Sequence, residues 1–150
     1  MFNGQRRFIL VAGVSALALT LSGTGAAQSQ VRRRTALWGY DPVSYFTPGQ
    51  PERGSKEFTA AFDDATYWFK SAEHRTMFIA DPEHYAPRYS GYCAITVSRG
   101  RKTEADPEVW AIMNGKLYVF ANAQGMAAFR ADREAIEKAN ANWSALRKTQ

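Results

Sequence analysis

Cys93 is the one cysteine in a chain of 150 residues. No internal disulfide can form, so whatever the chain folds into must be held by its core. The constraint matters because the N-terminus reads as an export signal, and small exported domains commonly carry paired cysteines. Met1 to Arg7 is short and positive, Phe8 to Leu21 is a largely apolar run, and Ser22 to Gln30 is small and polar. That is the order of a cleaved signal peptide, and Gly25-Ala26-Ala27 places the expected cut after Ala27, making 1–27 the signal. The apolar run falls short of the roughly 20 residues that span a bilayer. Thr24 stands where a lipidated cysteine would be needed, so no stable membrane anchor is expected after cleavage. The expected destination is the bacterial periplasm or exterior. Arg6 and Arg7 ahead of Phe8 resemble a twin-arginine signal, with an ordinary Sec signal as the alternative.

Removing 1–27 changes the charge arithmetic. The whole chain carries a formal charge of +5. Two of those positives are Arg6 and Arg7, and three more are the run Arg32-Arg33-Arg34. From Thr35 onward the charges sum to zero, which excludes a generally basic nucleic-acid binder. Residues 28–36 read as a flexible, Arg-rich lead-in, and 37–147 as one compact domain, long enough for a real core and too short for two. Most of the aromatic residues fall in that domain, in keeping with a core built on large rings.

Local signals predict the elements. Asp41-Pro42 starts a helical turn that presents Val43, Tyr45 and Phe46 inward. Glu57 to Lys70 reads as a β-hairpin turning at Asp63-Asp64. Ser71 begins a helix with His74, Met77 and Phe78 on one face, and Asp81-Pro82 begins another turn. Gly91 to Val97 alternates and predicts a strand with Cys93, Ile95 and Val97 on one side. Val109–Met113 and Lys116–Phe120 around Asn114-Gly115 predict a type I′ hairpin, and Ala123–Ala131 and Asp132–Leu146 predict two helices. No internal repeat is visible after the signal. The expected fold is a small single α+β domain, with two β-hairpins or a small antiparallel sheet, short helices between them and a helical C-terminus.

Asp41-Pro42-Val43, Tyr67-Trp68-Phe69-Lys70-Ser71-Ala72-Glu73-His74, Phe78 and Asp81-Pro82-Glu83-His84-Tyr85 resemble the YHS domain family. Gly39 to Phe46, Tyr89-Ser90-Gly91-Tyr92-Cys93-Ala94, Gly115-Lys116-Leu117-Tyr118 and Ala139-Asn140-Ala141-Asn142-Trp143 resemble its exported branch. The resemblance runs from about Trp38 to Leu146. It implies kinship with TRASH-type, treble-clef-like modules of heavy-metal handling, which also occur attached to copper-transporting ATPases and multicomponent monooxygenases. The metal-binding form carries Phe-Cys-Ser-x-x-Cys where this chain has Phe69-Lys70-Ser71-Ala72-Glu73-His74. Lys70 cannot ligate while protonated, whereas His74 can. One cysteine and two histidines do not make a four-ligand zinc knuckle.

Three functions remain open. The first is a transition-metal site made by Cys93 and His74 with Asp41, suited to copper or zinc. The second is a metal-free accessory module that binds a partner protein or small ligand through aromatic surface, with Tyr40, Tyr45, Trp68 and Tyr92 as candidate pocket residues. The third is a thiol-dependent enzyme, for which no oxyanion hole or orienting third group is visible. His84 reads as exposed, and Met113 and Met126 as core fillers. The plainest account of Cys93 is a small buried hydrophobe, and that of His74 a satisfied histidine on a packed face.

Overall fold

The computed structural model describes residues 33–149. The expected signal 1–27, with Arg6, Arg7 and Ala27, and the first part of the lead-in lie outside the described residues. Five strands and five α-helices are described: β1 Arg34–Thr35, β2 Ser55–Phe62, β3 Ala65–Phe69, α1 Ala72–Ala80, α2 Pro82–Tyr85, α3 Ala94–Ser98, β4 Asp106–Met113, β5 Lys116–Phe120, α4 Ala123–Ala131 and α5 Ala135–Leu146. The α+β expectation holds: β2 and β3 form one antiparallel hairpin, and β4 and β5 form the other. The short β1 adds to β3 in parallel, so the first sheet has the order β1-β3-β2. Arg34 to Ala36 therefore belong to the domain; Ala36 is fully buried, which corrects the flexible reading of the last residues of 28–36. Among the described residues no helix is long and apolar enough to cross a membrane.

One predicted element changes type. Gly91 to Val97 is not a strand: Tyr92 makes only an isolated bridge to Glu104, and Ala94–Ser98 is the helix α3. A short apolar run bounded by turn residues satisfies either period, and packing decides. Here Cys93, Ala94, Ile95 and Val97 are all buried, as suits a short helix enclosed by its neighbours rather than a strand exposing every second residue. The fully buried residues of α5 are Ala135 and Ala139, while the expected packing residues Ile136, Trp143 and Leu146 cover the core from its edge.

The fold also contains a repeat that was not visible in the sequence. Leu37-Trp38-Gly39 has φ of 52°, 49° and 83°, and Tyr89-Ser90-Gly91 has 57°, 50° and 80°. Each forms a left-handed turn closed by a following tyrosine N–H, Tyr40 onto Leu37 and Tyr92 onto Tyr89. Tyr40 then bridges Arg53 and Tyr92 bridges Glu104. A hairpin follows each turn, with a register shift at the same place, after Ser55↔Phe69 in one and after Asp106↔Phe120 in the other. Ser71 caps α1 by accepting from His74 N–H, and Asn122 caps α4 by accepting from Gly125 N–H. Phe69 and Phe120 end the second strand of each hairpin, Phe78 and Phe129 anchor the helices, and all four are buried. The domain is thus one turn–hairpin–helix unit built twice, with few side chains shared between the copies.

Candidate functional site

Asp41 and His74 come together. Asp41 follows the first left-handed turn and is wholly buried, and His74 lies in the first turn of α1. The Asp41 carboxylate accepts from Val43 N–H at 2.8 Å, from Lys70 N–H at 2.9 Å and from the His74 ring at Nδ1, 2.7 Å away. A buried carboxylate costs several kcal/mol unless its oxygens are satisfied, to order of magnitude. With Asp41 ionised, the shared proton lies on His74 Nδ1 and the imidazole is held in one tautomer.

Three neighbours were missed as site residues. Ser44 Oγ and Lys70 Nζ both donate to Glu52 Oε2, at 2.7 and 2.6 Å. The Lys70 ammonium first, and then the Ser44 hydroxyl, hold the Glu52 carboxyl below its ordinary range. Lys70, which occupies the position of a thiolate in the metal-binding pattern, therefore pairs with a carboxylate. The signal for this was present only as residue types, because Ser44, Glu52 and Lys70 are separated by a loop and a hairpin.

Cys93 joins neither residue. It is the counterpart of Asp41 in the second copy of the unit: Asp41 N–H donates to Glu52 O and Cys93 N–H to Thr103 O. Where Asp41 accepts from Lys70 N–H, Cys93 Sγ accepts from Ala121 N–H at 3.2 Å. The position matching His74 is Gly125, so no imidazole faces the thiol. A hollow of about 350 Å³, lined by Cys93, Ile95 and Gly125 among others, lies there instead. The expected Cys93–His74–Asp41 set is thus divided between two equivalent places. Among the described residues no three His, Cys, Asp or Glu side chains group as a metal site. One fixed imidazole with one buried carboxylate can hold a turn to a helix or serve as a base, but does not by itself complete a metal's coordination.

The four candidate pocket aromatics each have their own partners. Tyr45 is core, its hydroxyl donating to Pro107 O at 2.8 Å. Tyr40 and Tyr92 are counterparts, each beneath an arginine, Arg53 at 4.2 Å and Arg34 at 4.1 Å from the ring centroids. The Tyr40 hydroxyl bonds Glu108, which, with burial, raises its pKa. Trp68 lies against Gly39, where a Cβ would come within 2.5 Å of its ring. His84, expected to be exposed, is half-buried with its ring 4.7 Å from that of Phe46. No family model, curated protein or solved structure matches the chain.

Proposed function

We propose that this is an exported binding module that meets a partner protein through an aromatic face and needs no metal held between Cys93 and His74. The observation that carries this reading is Trp38. Its side chain is 53 % exposed on a turn whose backbone is left-handed at two successive non-glycine residues. Left-handed backbone at a bulky residue costs about 1–2 kcal/mol, so an indole displayed there calls for an explanation beyond packing. Trp68 lies behind the turn, and Arg53 and Lys56 flank it, with Lys56 Nζ 5.2 Å from the Trp68 ring centroid. Among the described residues neither cation has a carboxylate partner. An acidic segment carrying an apolar side chain complements that face. The YHS resemblance is compatible with this role, since such modules accompany larger assemblies.

Photo-crosslinking tests the reading. A photoreactive residue at position 38 is expected to give a discrete adduct in cells, weakened by Arg53→Glu with Lys56→Glu, while the same probe at Glu137 gives none. Equal adducts from both positions, or indifference to charge reversal, would refute it. Metal analysis tests the other half. Purified protein is expected to carry less than one equivalent of copper or zinc, with no affinity lost in Cys93→Ala or His74→Ala. A stoichiometric metal lost in both variants would restore the Cys93–His74 site.

A further inference from the structure

Three large side chains of the first unit have small counterparts in the second, all in one place. The caps Ser71 and Asn122 and the buried anchors Phe78 and Phe129 set the correspondence. Counted from the cap, His74 matches Gly125 and Met77 matches Ala128, while Lys70, just before the cap, matches Ala121. In the first unit His74 is buried against Asp41 and Met77 packs on the core. In the second unit all three positions are cut to a methyl group or less. The backbone nevertheless keeps its course, since Cys93 Sγ accepts Ala121 N–H as the Asp41 carboxylate accepts Lys70 N–H. The side chains are gone, the frame has not closed on the space, and Ala121, Gly125 and Ala128 all line the hollow of about 350 Å³ that remains.

Its lining defines the occupant. The volume lies near the lower end of the range for small-molecule sites, about 300–1,000 Å³. Ile95 adds to the three small residues, and no aromatic ring lines the space, so its apolar part suits an aliphatic chain. Cys93 lines it too but is closed to solvent, and its thiol is not called on. Arg99 and Gln124 line it as exposed side chains. Among the described residues Arg99 has no carboxylate partner. No acidic residue lines the hollow, and the first turn of α4 carries none, whereas that of α1 carries Glu73. An unpaired guanidinium thus stands beside an apolar space, and the positive end of α4 adds to the same sign. An anion with a hydrocarbon tail complements both. A cation is repelled, and a neutral molecule leaves the guanidinium unused.

We propose that this hollow binds a small aliphatic carboxylate, its chain in the space that His74 and Met77 fill in the first unit and its carboxylate on Arg99. The site uses no residue of the Trp38 face, and either can fail without the other. The test is an amide NMR titration of the protein with hexanoate, 1-hexanol and hexylammonium. Hexanoate is expected to give saturable shifts at Thr96, Ala121 and Gly125. 1-Hexanol is expected to bind about threefold or more weakly, as loss of one exposed ion pair implies, and hexylammonium more weakly still. Arg99→Gln should bring hexanoate down to the level of 1-hexanol and leave 1-hexanol unchanged. Ala128→Met restores the side chain of the first unit. It is expected to weaken both ligands about tenfold or more by filling the space, while the melting temperature holds or rises. Arg99 is exposed, so Arg99→Gln keeps the test decisive if Ala128→Met fails to fold. Equal binding of hexanoate and 1-hexanol, or indifference of hexanoate to Arg99→Gln, overturns the carboxylate assignment. No saturable shift with hexanoate, or undiminished binding in folded Ala128→Met, overturns the hollow as a site.

Discussion

Asp41 and Cys93 show how one backbone position is served by two chemistries. Each accepts the N–H that follows the second strand of a hairpin, Asp41 from Lys70 and Cys93 from Ala121. Asp41 also receives Val43 N–H and the His74 ring, so truncating it orphans several donors at once. Asp41→Ala is expected to destabilise the fold by about 3–5 kcal/mol, and His74→Ala by about 1–3, both read from urea unfolding. A loss below about 1 kcal/mol for Asp41→Ala would mean the pair is not a strut. Cys93 is 1 % exposed, so its thiol should resist a disulfide reagent in the native protein and react once urea unfolds it. Prompt native reaction would reopen the thiol-dependent readings. The residue types for all of this were legible in the sequence. Their partners were not, because Asp41 and His74 meet across a loop and a whole hairpin, and spacing carries no information about such a contact.

Among the elements, those with local determinants were read correctly. The Asn114-Gly115 turn has φ of 52° and 71°, as a type I′ hairpin requires. Ser71 caps α1, and Asp81 with Pro82 opens α2. Asn122 caps α4 as Ser71 caps α1, so Ser71→Ala and Asn122→Ala should each cost about 1 kcal/mol. A large inequality between them would argue that the two copies of the unit do not bear load alike. Gly39 is the stricter position. It combines a φ of +83° with a Cβ site 2.5 Å from Trp68, so Gly39→Ala should cost more than about 2 kcal/mol. Trp68→Ala should recover the steric part of that loss in a double-mutant cycle, and strict additivity would refute the contact as its cause. The Gly91–Val97 segment was misread because it is too short for its period to separate strand from helix. It became helical where the core surrounds it.

At the scale of the molecule, stability rests on aromatic burial with no covalent staple, and pH should expose this. Burial lifts the phenol of Tyr89 to about 12, with Tyr118 adding to the effect; Tyr45 and Tyr67 are pushed up by burial too. A phenol whose pKa is raised only in the folded state leaves stability intact below its unfolded value, 10.0. Above that the unfolded chain loses protons first, so stability falls as pH climbs from 10 toward 12. Tyrosinate absorbance should therefore rise together with loss of the fold in this window. A smooth titration of Tyr89 at ordinary pH values with the fold intact would contradict its burial.

Sequence by itself determined the class of the domain, both hairpins, the starts of α1 at Ser71 and α2 at Asp81-Pro82, and the need for a core without disulfides. Each of these follows from residues within a few positions of one another, where backbone geometry and hydrogen-bonding chemistry act directly. The tertiary structure alone decided that His74 finds Asp41 and not Cys93, that the unit occurs twice, and that Ser90 is buried in the second left-handed turn. The doubling rests on backbone shape, which a few glycines, caps and buried phenylalanines can specify while most side chains differ. The separation of Cys93 from His74 follows from that doubling: equivalent positions in two copies of a unit occupy different places, however well their side chains would suit one metal.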